Sequence, residues 1–206
     1  MKVLPKLLMV PLLGLMAAAS ACAAEEQKPA TRETNMQENK PQVVLSEEEW
    51  KKRLTAEQFA VTRKAGTERP FGEIYETFEK QGEGTYYCVC CGAELFTSNE
   101  KFHSGCGWPS FYDASKAKNV LEKPDNSHGM VRIETVCKRC GAHLGHVFDG
   151  ESISKDTPTN RRFCINGGAL KFVEAGGKAP ELLVVNSDEV QKKKAEVAKE
   201  GGVEPK

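Results

Sequence analysis

Cys88-Val89-Cys90-Cys91-Gly92-Ala93-Glu94-Leu95 recurs in pattern as Cys137-Lys138-Arg139-Cys140-Gly141-Ala142-His143-Leu144. Both read C-x-x-C-G-A-x-L. Each follows a run suited to a strand: Gly84-Thr85-Tyr86-Tyr87 before the first, and Met130-Val131-Arg132-Ile133-Glu134-Thr135-Val136 before the second. Two such turns brought together offer four thiolates, from Cys88, Cys91, Cys137 and Cys140, to one tetrahedral zinc ion. The glycine after the second cysteine of each pair eases the tight turn. An oxidising compartment would permit two disulfides instead, but disulfides impose no reason for matching turns. A structural four-cysteine zinc site is therefore the expectation. Four thiolates leave no open coordination position, so the ion builds the fold and does not catalyse. Cys90 is then a bystander. The pairs stand further apart than in a simple zinc ribbon, which places a substantial subdomain between them.

Inside that subdomain lies Phe102-His103-Ser104-Gly105-Cys106-Gly107-Trp108-Pro109-Ser110-Phe111. Gly105 and Gly107 bracket Cys106 and Pro109 stops any helix, so the segment reads as a loop. A glycine-flanked cysteine can travel to meet a second thiol, and Trp108 supplies a flat apolar wall. The bland alternatives are core packing for Trp108 and an inert thiol for Cys106. Further on, Ser127-His128-Gly129-Met130-Val131-Arg132-Ile133-Glu134 alternates, which puts His128, Arg132 and Glu134 on one strand face, ordinarily the solvent side. After the second cysteine pair come His143 and His146. With four cysteines available for the metal, these histidines are free for proton transfer.

Beyond the second pair, Arg161-Arg162-Phe163-Cys164-Ile165-Asn166-Gly167-Gly168-Ala169-Leu170-Lys171-Phe172 carries a cysteine outside any metal-spaced pair. Ala169 to Val173 reads as a strand with Cys164 near its start. Two adjacent arginines favour the thiolate, the nucleophilic form. A buried structural cysteine is the competing reading.

The motifs Gly-Cys-Gly-Trp-Pro-Ser-Phe at 105–111, His-Gly-Met-Val-Arg-Ile-Glu at 128–134, Cys-Gly-Ala-His-Leu-Gly-His-Val-Phe-Asp at 140–149 and Arg-Phe-Cys-Ile-Asn at 162–166 resemble the methionine-R-sulfoxide reductases of the B type. The resemblance runs in the family's order from about Ser46 to Gly176. It implies a mainly β domain of two antiparallel sheets, the β-tent of this family, with short N-terminal helices and the four-cysteine zinc. It implies Cys164 as nucleophile and Cys106 as resolving thiol. His143, His146 and Asn166 would orient the sulfoxide or its bound water. Trp108, Phe111, His128, Arg132, Glu134 and Asp149 would form or support the substrate site. The substrate implied is the R epimer of methionine sulfoxide in oxidised proteins, and the reductant a thioredoxin-like donor. Two departures stand out. Gly167-Gly168-Ala169 replaces the more usual Ser-Ala-Ser, which loosens the backbone beside the thiol. The link from Glu151 to Asn160 is also longer than usual.

The flanks read differently. Residues 1–21 form a signal peptide: basic Lys2 and Lys6, an apolar core from Leu7 to Met16, and a small-residue cleavage zone. Cys22 follows directly and resembles a lipidation site, so the protein is expected to be exported by a bacterium, as a periplasmic or membrane-anchored lipoprotein. Residues 22–44 are polar and proline-bearing, a disordered tether. Order begins near 45 with two helix starts, Ser46 with Glu49 and Thr55 with Gln58. The domain is drawn as 45–176, and 177–206 as a charged tail.

Lys+Arg and Asp+Glu both number 29 among 206 residues, so no global basic field exists to hold nucleic acid. The expectation is a monomer. Two rival functions stay open on the residues alone. A non-catalytic zinc module would leave Cys106, Cys164 and the histidines idle. A general thiol–disulfide exchanger would have no use for Trp108.

Overall fold

The computed structural model describes residues 41–116, 118–150 and 157–185. The signal segment, Cys22, most of the tether, residues 151–156 of the link and the charged tail from 186 lie outside the described residues. Three short helices open the domain: α1 (Glu47–Arg53), α2 (Ala56–Lys64) and α3 (Glu73–Lys80). The first two carry the capping boxes expected from sequence. Ser46 Oγ accepts from the Glu49 amide while Glu49 reaches back to the Ser46 amide, and Thr55 and Gln58 do the same. Each box satisfies amide donors that a helix start otherwise leaves open. Trp50, Leu54 and Phe59 are buried.

The remainder is two antiparallel sheets. One holds β1 (Gly84–Cys88), β2 (Glu94–Thr97) and β8 (Leu170–Glu174) in the order β2-β1-β8. The other holds β3 (Ser110–Phe111), β4 (Val120–Asp125), β5 (Arg132–Cys137), β6 (His143–Asp149) and β7 (Arg161–Ile165) in the order β3-β7-β6-β5-β4. An aromatic cluster joins them. Phe96 of β2 stacks on Phe111 of β3 at 4.2 Å between ring centres, and Tyr86 of β1 meets Phe111 edge-on at 5.0 Å. Alternation along β6 and β7 sends Val147, Phe163 and Ile165 into this core. His146 and Cys164 are thereby turned to the opposite face.

β1 ends in the first cysteine turn and β5 in the second, and the two turns share their hydrogen bonds. Gly92 N donates to Cys88 O and Cys88 N to Ala93 O, at 2.9 and 2.7 Å; Gly141 N and Cys137 N make the equivalent bonds, both at 2.8 Å. Gly92 and Gly141 sit at φ +74° and +69°, a conformation glycine adopts without steric cost.

Two boundaries and one strand differ from the sequence reading. Val43, drawn into the tether, is 2% exposed, and the Gln42 and Val43 amides donate to Arg139 O. Leu183, drawn into the tail, donates its amide to Cys91 O at 3.0 Å. Cys164 does not start the strand at 169–173. It lies on β7, and a 3-10 turn at Gly167–Ala169 sends the chain across to β8 in the other sheet. The Asn-Gly-Gly sequence separates two strands that together look like one apolar run.

Candidate active site

The face of the five-stranded sheet turned away from the core carries the chemistry. In register across it stand Ser110 on β3, Cys164 on β7, His146 on β6 and Glu134 on β5. Residues directly opposite in an antiparallel sheet place their side chains side by side, so the register alone sets a thiol beside an imidazole and a hydroxyl. Gly145 makes the close packing of β6 on β7 possible. A Cβ there would lie 2.1 Å from the Cys164 carbonyl oxygen.

Cys106 is brought to the same place by its loop. Its Sγ lies 3.6 Å from Cys164 Sγ, too far for a bond and close enough to share a proton. The Ser104 hydroxyl donates to Cys106 Sγ at 3.0 Å, and the Ser110 hydroxyl lies 3.5 Å from it. The Cys164 contact and these two hydroxyls hold the Cys106 thiol down at about 4, against the opposing effect of burial. Cys164 moves the other way. The hydrogen bond to Cys106 and its own burial push it well above the usual thiol range, and Arg162 only partly offsets them. The expectation that both arginines favour a Cys164 thiolate therefore does not hold for the paired state. Arg161 is spent at the rim, bonded to Asp149 and Glu122 at 2.7 Å each. Arg162 lies over the Phe148 ring.

The histidines are held by carboxylates. His143 Nδ1 lies 2.7 Å from Glu134 Oε1, and its buried Nε2 has no hydrogen-bond partner among the described residues. Burial lowers its pKa and Glu134 opposes that only in part, so the ring is neutral near pH 7. An Nδ1–H donating to Glu134 Oε1 leaves Nε2 as a free lone pair. His146 Nε2 lies 2.7 Å from Asp125 Oδ2, which also accepts from Arg132 Nη2 at 2.7 Å. Ser127 and then His146 hold the Asp125 carboxyl well below the usual range.

Glu68, in the turn before α3, ties this together and had no sequence signal. Its carboxylate accepts from the Gly167 and Gly168 amides at 2.6 and 2.9 Å, and its amide donates to Asn166 Oδ1. Its carbonyl accepts from Trp108 Nε1 at 3.0 Å. Asn166 Nδ2 in turn donates to Leu144 O. One residue thus clamps the turn after Cys164, the Asn166 amide and the Trp108 indole. The Gly167-Gly168 backbone is held by two hydrogen bonds and not loosened. Gly167 has no room for a side chain, since a Cβ would lie 2.2 Å from Ile74 Cγ2. Ser104, Ser110 and Asp125 were likewise not singled out. Their hydroxyls and carboxylate gain meaning only from strand register and loop closure.

Of the residues expected at the site, the structure gathers Cys164, Cys106, Trp108, His143, His146, Asn166, Arg132 and Glu134. It places three elsewhere. Phe111 is fully buried under Phe96 and lies in the core, a correction to its place in the substrate set. His128 is exposed in a 3-10 turn at φ 55°, not on the strand face of Arg132 and Glu134. Asp149 is exposed at the end of β6 and pairs with Arg161.

The second centre is the meeting of the two cysteine turns. Cys88, Cys91, Cys137 and Cys140 are all buried, with every sulfur within 4.8 Å of the others. Cys88 to Cys140 is 3.7 Å and Cys91 to Cys137 is 3.6 Å. A tetrahedral ion held at about 2.3 Å from each sulfur requires edges of about 3.8 Å. The donor set and spacing therefore fit a metal ion.

A SelR domain model matches residues 54–174, more than half of the chain. The chain is 50% identical over 140 residues to a peptide methionine sulfoxide reductase MsrB of Hahella chejuensis, covering 68% of this chain and 96% of that protein. It is 55% identical over 142 residues to the MsrB of Methanosarcina barkeri, covering 68% and 94%. It is 51% identical over 150 residues to the MsrB of Methanosarcina mazei, covering 71% and 100%. With the motifs, the two sheets and the paired thiols, these matches show that the chain belongs to the SelR-domain family of MsrB peptide methionine sulfoxide reductases.

Proposed function

We propose that the protein reduces the R epimer of methionine sulfoxide in oxidised proteins, with Cys164 as nucleophile and Cys106 as resolving thiol. The observation that carries this reading is the 3.6 Å approach of the two sulfurs on a face that also presents His146 in register with Cys164. Reduction of a sulfoxide needs a sulfur nucleophile and a proton on the departing oxygen. Cys164 supplies the sulfur, and the proton its thiol gives up as it attacks is the one the sulfoxide oxygen takes. Its sulfur attacks the sulfoxide sulfur, the oxygen passes to Cys164, and the proton follows, leaving Cys164 sulfenic acid and a methionine side chain restored in the substrate. His143 and His146 border this transfer and hold the oxygen or its water, and Trp108 walls the methyl group. Cys106 then attacks the sulfenic sulfur. An S–S bond forms, the S–O bond breaks, and the oxygen leaves as water. A thioredoxin-like dithiol reduces the resulting disulfide.

Zinc is the metal that a four-cysteine set selects. When bound it ties the two turns together, and no catalytic step involves it. Residues 1–21 and Cys22 support export and lipid anchoring. A single turnover on each epimer tests the whole reading. Wild type and Cys106→Ser should release one methionine per enzyme from the R epimer, and Cys164→Ser none. Turnover by Cys164→Ser would overturn the nucleophile assignment, and inertness of wild type towards both epimers would overturn the activity.

A further inference from the structure

Resting on that reading, the geometry points to Ser104 and Ser110 as reaction residues of the second step: their hydroxyls aim the Cys106 sulfur at Cys164 and donate hydrogen bonds to its charged form while the disulfide closes. Four contacts carry this. Ser104 Oγ donates to Cys106 Sγ at 3.0 Å, Ser110 Oγ lies 3.5 Å from the same sulfur, and the two hydroxyls are 2.7 Å apart. The Cys106 amide also donates to Ser104 Oγ at 3.4 Å, which closes the loop over the serine.

Neither serine is free to wander. Ser110 is 1% exposed and pairs with Cys164 across the β3–β7 ladder. Its hydroxyl is therefore delivered by the strand that carries the nucleophile's neighbour. Ser104 follows His103, whose Nδ1 lies 2.8 Å from Glu79 Oε2 and 3.4 Å from the Tyr75 hydroxyl, both on α3. At the other end of the loop, Phe71 N donates to Gly107 O at 2.9 Å. The resolving loop is thus pinned at both ends, and Ser104 is held under the sulfur.

Each hydroxyl has one hydrogen and can rotate it. When Cys106 is a thiol, its S–H can donate to Trp108 O at 3.6 Å, and Ser110 also has that carbonyl within 3.1 Å. When Cys106 loses its proton, the Ser104 hydrogen turns to the sulfur, and the Ser110 hydrogen turns to the sulfur or to Ser104. The step these bonds serve is the attack of the Cys106 thiolate on Cys164 sulfenic acid: S–S forms, S–O breaks, and the oxygen leaves as hydroxide. The hydroxide takes from solvent a proton equivalent to the one Cys106 gave up and departs as water. A thiolate is required there. The first step uses the Cys164 sulfur and does not call on these hydroxyls.

Rapid-quench single turnover with methionine R-sulfoxide separates the two steps, reading methionine release for the first and loss of dimedone-trappable sulfenic acid for the second. In Ser104→Ala, disulfide closure should slow about tenfold, the scale of one hydrogen bond to a charged group, while the methionine burst is retained. The pH midpoint of closure should move upward, because the charged sulfur has lost a donor. Cys164 on β7 faces the Cys106 sulfur, Tyr75 on α3 feels the Cys106 charge, and Arg162 and Glu68 act on Cys164. These groups are the same in wild type and variant, so the shift reports the serine. Ser104→Thr should restore both rate and midpoint, and Ser110→Ala should repeat the defect more weakly. Closure at the wild-type rate and midpoint in Ser104→Ala, or equal slowing of both steps, would overturn the inference. Absence of a methionine burst in wild type would instead sink the underlying function.

Discussion

Glu68 does at one position what four separate residues would otherwise have to do. Two oxygens of its carboxylate fix the Gly167 and Gly168 amides, and its own peptide holds Asn166 and the Trp108 indole. Burial raises its pKa, and the two amide donors pull it back. Glu68→Ala removes both acceptors and leaves those donors unpaired, which should cost about 1–3 kcal/mol of stability. Urea unfolding measures this cost. Activity should fall further than stability does, because the turn behind Cys164 and the wall of the pocket both move. Equal activity in Glu68→Ala would show that the clamp is not needed. No spacing rule reaches from residue 68 to residues 166–168, so Glu68 could not be found in the sequence. Cys164 teaches the complement. Its neighbours Arg161 and Arg162 suggest a thiolate, but Arg161 is bonded to Asp149 and Glu122, and the Cys106 hydrogen bond and burial together outweigh Arg162. Proximity in sequence says nothing about where a charge ends.

At the scale of elements, local rules were the most legible. The two capping boxes and the two cysteine turns each depend on residues within a few positions of one another. Strand partition was less so. Residues 161–173 look like one apolar run after the arginines, yet a 3-10 turn divides them between two sheets. That division places Cys164 opposite His146, and at Gly145 the β7 backbone fills the space a Cβ would need. Gly145→Ala must push β7 outward, because its Cβ would meet the Cys164 carbonyl at 2.1 Å and Ile165 Cα at 3.0 Å. The expected cost is about 1–3 kcal/mol from overpacking, seen as a lower urea midpoint. Disulfide closure should also slow, because Cys164 moves with its strand. A variant with wild-type stability and closure would show that β7 adjusts freely.

Across the whole molecule, both ends of the described chain fasten onto the cysteine turns. Gln42 and Val43 donate to Arg139 O, Leu183 N donates to Cys91 O, and Arg139 Nη1 donates to Leu183 O at 3.0 Å. A Cβ on Gly92 would lie 2.6 Å from Glu181 O, so the C-terminal segment lies directly on the first turn. The cysteine cluster is therefore closed by chain segments whose composition reads as a tether and a tail. Stripping the metal with a chelator should unfold the domain, because binding energy at such a site is folding energy. A chain ending at Gly177 loses two hydrogen bonds over the cluster, each worth about 0.5–1.5 kcal/mol. It should release metal to a chromogenic chelator faster than the full chain. Equal release rates would show that residues 178–185 do not guard the ions' exit.

The sequence by itself determined the family, the helix starts and the two matched C-x-x-C turns, and it singled out Cys106 and Cys164 as the candidate reactive thiols. Each of these is written in residue type and short spacing, where chemistry demands particular side chains at particular intervals. Tertiary structure alone decided the rest. It set the Cys106 sulfur 3.6 Å from that of Cys164, placed Ser110 and His146 on either side of Cys164, and put Phe111 in the core. It also brought Glu68 to a turn about a hundred residues further along the chain. Register and loop closure are long-range properties: a slip of one residue turns every side chain of a strand to the other face. Which of two sulfurs carries the charge then follows from burial and donors that the fold assembles.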